Sequence, residues 1–368
     1  VGSDGGLSFQ SVTEGRILEE QESKSPEVGG FRGSFPTGAA LKKSSPTGSV
    51  VTYSAAYTLV PTYECFNHCS YCNFRQEPGS EWLPLEGAAR RLNSLRDKGI
   101  CEILILSGEV HPRSARRAAW IDRIDQLCQL ALEMGFLPHT NAGPLSVDEM
   151  TRLKGVNASM GLMLEQVSER LVQTVHRHAP SKHPALRLEQ LEQAGRLQIP
   201  FTTGLLLGIG ETAGERQETL TAIATMHQRY RHIQEVILQP HSRGTRQAEQ
   251  SGSLAAAELV EIVAIARQIL PADITIQIPP NLTSSLLSCL AAGASDLGGI
   301  GPKDEVNPDY PHPSPEDLAR QIAPAGYELR LRLPVYPRYF SWVPEAVQPV
   351  LLQWLRRDEV AVENGLGS

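Results

Sequence analysis

Tyr57-Thr58-Leu59-Val60-Pro61-Thr62, followed almost at once by Cys65-Phe66-Asn67-His68-Cys69-Ser70-Tyr71-Cys72, is the stretch that decides the fold. A short apolar run of this kind reads as a strand, and the cysteines fall in the loop that leaves it. Cys65, Cys69 and Cys72 offer three thiolates and no fourth, a donor set that suits an iron-sulfur cube with one iron left for a non-protein ligand. A structural zinc ion wants four ligands, and the nearest candidate, His68, sits between the cysteines, where one tight loop can hardly wrap all four groups tetrahedrally. The spacing alone leaves both metal readings open.

Working outward from that loop, strand-like runs alternate with helical patterns. The runs lie near Thr58–Pro61, Glu102–Leu106, Leu137–Thr140, Ala158–Leu162, Phe201–Leu207, Glu235–Gln239, Thr275–Ile278 and Asp296–Gly298. Between them, Leu259, Ile262, Val263, Ala266 and Ile269 recur at helical spacing until Pro271, and Leu188, Leu191 and Ala194 share a helix face before Pro200. Eight strand-helix alternations predict the α/β class, with a parallel sheet closed as a (β/α)8 TIM-type barrel; a doubly wound open sheet is the alternative topology. Barrel enzymes place function at the C-terminal strand ends, which is where the cysteine loop falls.

Three segments are expected: an arm over 1–50, the barrel over 51–334 and a C-terminal extension over 335–368. The first fifty residues hold nine Gly and nine Ser and no sustained period. Such a stretch cannot bury enough apolar area to offset its ordering entropy, so a flexible N-terminal arm is expected. With six acidic and five basic residues and no apolar run, it resembles neither a secretory signal nor a transit peptide. Because the chain opens on Val1 rather than Met, further residues upstream are an expectation.

A net charge of -7 with no basic stripe argues against nucleic acid as a partner. No apolar run reaches the roughly 18 residues of a membrane helix, so no membrane partner is expected. Six cysteines are too few for a disulfide scaffold, which points to a reducing, cytoplasmic setting. Cys101, Cys128 and Cys289 lie in apolar patterns and read as small buried hydrophobes.

Cys65 to Cys72, with aromatic Tyr71 ahead of the third cysteine, resembles the signature of the radical S-adenosylmethionine (SAM) superfamily. The resemblance implies a barrel of the radical SAM kind and a 4Fe-4S cluster on Cys65, Cys69 and Cys72, with Tyr71 beside the cofactor. It also implies that SAM chelates the fourth iron and is cleaved to methionine and a 5'-deoxyadenosyl radical.

Ser107-Gly108-Glu109 resembles the Gly-Gly-Glu motif that receives the SAM amino group; a carboxylate beside a glycine is a good acceptor for an ammonium. Asn157, Ser159 and Glu165 lie where related enzymes set polar groups against the ribose and methionine parts of SAM. Alternation would put Asn157, Ser159 and Gly161 on one face, with Met160 and Met163 as core filling. Arg187 corresponds to an arginine that pairs with the SAM carboxylate in biotin-synthase-like members. Gly204 to Thr212 resembles the Gly-x-Ile-x-Gly-x-x-Glu motif against the adenine, with one Leu replacement and a Glu shifted by a residue, which implicates Gly208.

Beyond these motifs, Leu137-Pro138-His139-Thr140-Asn141, Val156 to Glu165, Ile199 to Gly204, His232 to Val236 and Asp296 to Ile300 closely resemble the CofG family. CofG is subunit 1 of 7,8-didemethyl-8-hydroxy-5-deazariboflavin (FO) synthase. The resemblance implies a radical SAM lyase acting on the hydroxybenzyl-ribityliminouracil adduct that a partner enzyme, CofH, produces. By the same resemblance, such a lyase would abstract a hydrogen atom from the adduct, with ring closure and loss of ammonia to follow. It also implies a reductant protein such as ferredoxin or flavodoxin.

His139, Asn141, Thr203, Gln239 and His241 are the polar strand-end residues expected to line the substrate pocket or move protons. The chain departs from the family at Pro240 to Thr245 and at Val110-His111-Pro112, and lacks the Pro-Gly-Thr-Ala stretch associated with CofH. The alternatives are another enzyme of the branch (CofH-like, menaquinone-pathway cyclase or biotin-synthase-like) or a non-enzymatic zinc scaffold.

Overall fold

Eight parallel strands close on themselves in the computed structural model, which describes residues 49–76, 81–245, 247 and 254–363. They are β1 (Ser49–Leu59), β2 (Glu102–Leu106), β3 (Leu137–Asn141), β4 (Ser159–Gly161), β5 (Phe201–Leu207), β6 (Ile233–Pro240), β7 (Thr275–Gln277) and β8 (Asp296–Ile300). Each pairs with the next, and β1 closes the ring by pairing with both β2 and β8. The open-sheet alternative is thereby excluded, since an open sheet leaves two strands with one neighbour each.

The strands alternate with helices, among them Arg117–Glu133, Pro184–Arg196, Ala213–Tyr230 and Ala256–Ile269. Apolar side chains on the outer strand faces and inner helix faces, such as Ile103, Ile124, Leu191, Leu205 and Val263, form the main core. Cys101, Cys128 and Cys289 are fully buried, as their apolar neighbours led one to expect. Among the described residues no helix is long and apolar enough to cross a membrane.

Two features differ from the sequence expectation. The first strand begins at Ser49, nine residues before the apolar run that announced it. Its earlier half, Ser49 to Tyr53, pairs in parallel with a ninth strand, β9 (Tyr327–Leu331), whose Tyr-Glu-Leu-Arg-Leu alternates as a half-buried strand does and which lies beyond the eight runs read from the sequence. Residues 1–48, which hold nearly all of the expected arm, lie outside the described residues. After β9 the chain crosses the N-terminal strand ends, where Leu333, Val335, Tyr339 and Trp354 pack on Cys101, Leu137 and Ala158.

Candidate active site

The loop that carries the cysteines is pinned to its neighbours by backbone. Phe66 N donates to Glu109 O at 3.0 Å, Gly108 N to Thr62 O at 2.8 Å and Gln76 N to Tyr63 O at 2.9 Å. Gly108 is required here, because a Cβ at this position would lie 2.0 Å from Glu64 O. The loops after β1 and β2 therefore approach as closely as backbone allows, which brings Glu109 beside the three thiols.

Cys65, Cys69 and Cys72 are all partly exposed and line one chamber of about 310 Å³ at the C-terminal strand ends. Among the described residues no three His, Cys, Asp or Glu side chains converge on a point that could hold a single metal ion. A cube fits this donor set, since each of its three thiolates binds a different iron. Asn67 Nδ2 donates to Cys65 Sγ at 3.6 Å and Arg75 N to Cys72 Sγ at 3.4 Å, the N–H···S contacts that tune cluster sulfurs. Burial pushes the Cys69 thiol up to about 12, so metal loading must displace a proton held firmly by the free thiol.

Tyr71 reaches from the loop into a buried cluster of polar groups. Its hydroxyl donates to Glu165 and lies 3.0 Å from His176 Nε2, and Lys182 Nζ pairs with the other Glu165 oxygen. Burial alone would raise the Glu165 carboxyl, yet Lys182, His176 and Arg187 hold it well below the carboxylate range. Arg187, only 1 % exposed, bonds Ser181 O at 3.0 Å and Met163 O, and its Nη2 stands 3.6 Å from Glu109 Oε1. Hence the arginine expected on a helix is a buried group facing the chamber rather than a solvated one.

Of the other expected residues, Ser107, Gly108, Glu109, Asn141, Glu165, Gln239 and His241 line the same chamber. Ser107 Oγ is already spent, donating to Gly108 O and accepting from Trp120 Nε1, each at 2.9 Å. His241 Nε2 lies 3.2 Å from Gln247 Oε1, and Gln247 donates to Tyr71 O at 2.6 Å.

Five expected residues lie elsewhere. Asn157 precedes β4, whose regular pairing starts only at Ser159, so the period-two argument fails there. Its side chain turns outward to Thr140 Oγ1 at 2.8 Å and Leu153 O at 2.8 Å. Ser159 points inward but at the barrel floor, donating to Pro334 O at 2.6 Å. Thr203 faces outward and accepts from Leu164 N at 3.2 Å, while its neighbour Thr202 faces in. Gly208, at φ 86°, donates its N–H to Glu211 Oε1 at 2.8 Å, so the shifted glutamate closes a turn and Gly208 is not part of the chamber wall. His139 lines a second, deeper cavity rather than the thiol-lined one.

No local pattern announced Lys182, His176 or Gln247, which lie outside every motif, and only the fold carries them to Glu165 and the cysteine loop. Asn67 lies within the cysteine signature, but nothing in that spacing marks its amide as a donor to Cys65.

Comparison with known proteins agrees with this geometry. Residues 59–223 match the Radical SAM superfamily. Proteins named 7,8-didemethyl-8-hydroxy-5-deazariboflavin synthase are similar along the barrel. That of Trichormus variabilis is 61% identical, spanning 84% of this chain and 92% of its own length. That of a Synechocystis strain is 63% identical over 80% of this chain and 95% of its own. Among solved structures, the FeFe-hydrogenase maturase HydG from Carboxydothermus hydrogenoformans superposes with a TM-score of 0.66 at 18% identity, covering 84% of this chain and 79% of its own. Methylornithine synthase gives 0.59 at 15% identity, covering 76% and 83%. The structural likeness speaks to the fold, and the sequence identity to the family: the chain belongs to the 7,8-didemethyl-8-hydroxy-5-deazariboflavin synthase family of radical SAM enzymes.

Proposed function

We propose that this protein converts 5-amino-5-(4-hydroxybenzyl)-6-(D-ribitylimino)-5,6-dihydrouracil to FO, with release of ammonia, 5'-deoxyadenosine and methionine. The observation that carries the reading is barrel-long identity of 61% to a synthase of that name. Cys65, Cys69 and Cys72 hold the 4Fe-4S cluster. When bound, cluster and SAM together supply the one-electron cleavage that makes a 5'-deoxyadenosyl radical, the agent that takes a hydrogen atom from the adduct.

The chain's own groups orient the reactants. Glu109 accepts the SAM ammonium and Arg187 takes its carboxylate, a division supported by their placement 3.6 Å apart on the chamber wall. Glu165 accepts the ribose hydroxyls, its charge secured by Lys182 and His176. Leu106, Leu162 and Leu206 make that part of the wall apolar and keep water from the radical. At the chamber edge His241 Nε2 carries the proton that accompanies departure of ammonia.

The adduct reaches the chain from a separate hydroxybenzyl-transferring enzyme of the CofH type, and the electron from a ferredoxin or flavodoxin. A reducing cytoplasm is the setting in which three partly exposed thiols survive to be metallated.

The test is anaerobic reconstitution with iron and sulfide, followed by SAM, a chemical reductant and the adduct. Fluorescent FO appearing with 5'-deoxyadenosine is the expected result. Abundant 5'-deoxyadenosine beside unchanged adduct would reject FO synthesis while keeping radical chemistry. Cys65→Ala should abolish both products with the fold retained by circular dichroism; a zinc scaffold would instead lose its fold.

A further inference from the structure

Below the thiol-lined chamber a second cavity, of about 170 Å³, runs down inside the strands and shares Leu106, Asn141, Ile237 and Gln239 with the first. Its wall follows β2 from Glu102 to Leu106, four residue steps or about 13 Å. Asn141 and Gln239 at the junction, and Gln277 and His139 deeper in, present polar atoms to it with no side-chain hydrogen bond from those atoms among the described residues. Gln277 is 8 % exposed and His139 7 %, and polar groups buried that far are normally bonded.

The free atom of His139 can be assigned. Ser159 Oγ spends its one proton on Pro334 O at 2.6 Å, so it accepts from His139 Nδ1 at 2.7 Å. Nε2 is left as a bare acceptor, and Gly161 gives it room, since a Cβ there would come within 2.9 Å of that nitrogen.

The cavity has no cation to spare. Arg332 is held by Asp296 and Glu235 at 2.6 and 2.7 Å, and Lys303 by Glu305 at 2.7 Å. Glu102, buried on the same wall, has no ion-pair partner among the described residues. Such a wall offers neutral donors and surplus acceptors, which suits hydroxyl groups and repels an anion.

Resting on the function proposed above, we propose that this deep cavity binds the ribityl chain of the adduct, with His139 Nε2 and the Gln277 amide taking its hydroxyls, and that it selects the free polyol against its phosphate ester. The apolar wall beside the cysteines is then left for the hydroxybenzyl ring. The hydroxyl-rich end points to the floor, where a phenol could use one acceptor but a polyol uses several.

FO itself reports the subsite through its fluorescence. Titrated into the reconstituted protein, FO should bind about tenfold tighter than its N-methyl analogue lacking the ribityl chain, and about a hundredfold tighter than its phosphate ester. His139→Leu should lose about tenfold for FO and nothing for the N-methyl analogue, and His139→Gln, which keeps an acceptor, should recover most of the loss. Should His139→Leu fail to fold, Gln277→Leu is read in the same way. Equal binding of FO and the N-methyl analogue by the wild type, or equal weakening of both in a folded variant, overturns the subsite while adduct turnover stands. A protein that neither binds FO nor forms it from the adduct overturns the functional reading and the subsite together.

Discussion

Glu165 bears two costs at once, a left-handed backbone at φ 64° and a carboxylate 5 % exposed. Lys182, Tyr71 and His176 offset them by satisfying both carboxylate oxygens. Lys182→Met should therefore cost about 3 kcal/mol in urea unfolding, because it strands a buried charge, and adding Glu165→Gln should restore most of it. A single-variant loss near zero would show the pair to be ornamental. His232 is the opposite case, a base that burial depresses to about 3 beside Phe201 and Tyr230. Its unfolded value is near 6.5, so the unfolded chain binds the extra proton between those limits. Stability is then full above pH 6.5 and declines as pH falls, by about 1.4 kcal/mol per unit. Melting curves from pH 7 to 5 should be visibly flatter for His232→Leu than for the wild type.

Elements transmit these local arrangements through close backbone contacts. Gly108 is the point where the loop after β2 meets the cysteine loop, and an added methyl group would have to move Glu64 O. Gly108→Ala should leave the barrel folded by circular dichroism yet bring iron per chain to roughly half or less after reconstitution, since the thiols lose their common frame. Full iron loading in that variant would refute the argument. Strand positions were legible where the runs are short, apolar and punctuated, as at Glu102–Leu106 and Phe201–Leu207. The start of β1 was not, because Ser49 to Tyr53 mixes polar and apolar residues and gains its strand character from pairing with β9. The same limit misplaced Asn157 and Thr203: period two predicts a face only where pairing is regular, and at a barrel it does not say which face is inside.

At the scale of the whole molecule, the barrel floor is a network that spans distant segments. Arg332 joins Asp296 of β8 to Glu235 of β6, Thr202 Oγ1 donates to Glu235 at 2.8 Å, and Tyr336 OH reaches Glu235 at 3.2 Å. Burial raises the Glu235 carboxyl despite the arginine, so this network holds carboxylates close together at a price in desolvation. Arg332→Met should destabilise the protein by about 3–5 kcal/mol near pH 8.5, with part of the loss recovered near pH 6, because the Glu235 carboxyl, held at about 7 even beside the arginine, then takes a proton. Equal losses at both pH values would contradict the assignment. The chain after β9 then seals this end, where Trp354 Nε1 donates to Gly135 O at 3.0 Å.

The sequence by itself determined the strand-helix alternation, the three thiol ligands and the motif after β2, because periodicity and short spacing are properties of neighbouring residues. Tertiary structure alone decided that Lys182 and His176 would stand behind Glu165, that Arg187 would be buried toward the chamber, and that His139, Gln277 and Arg332 would line one cavity. Those meetings join positions far apart in the chain, and closure of the barrel, which no local pattern encodes, is what brings them within hydrogen-bonding reach.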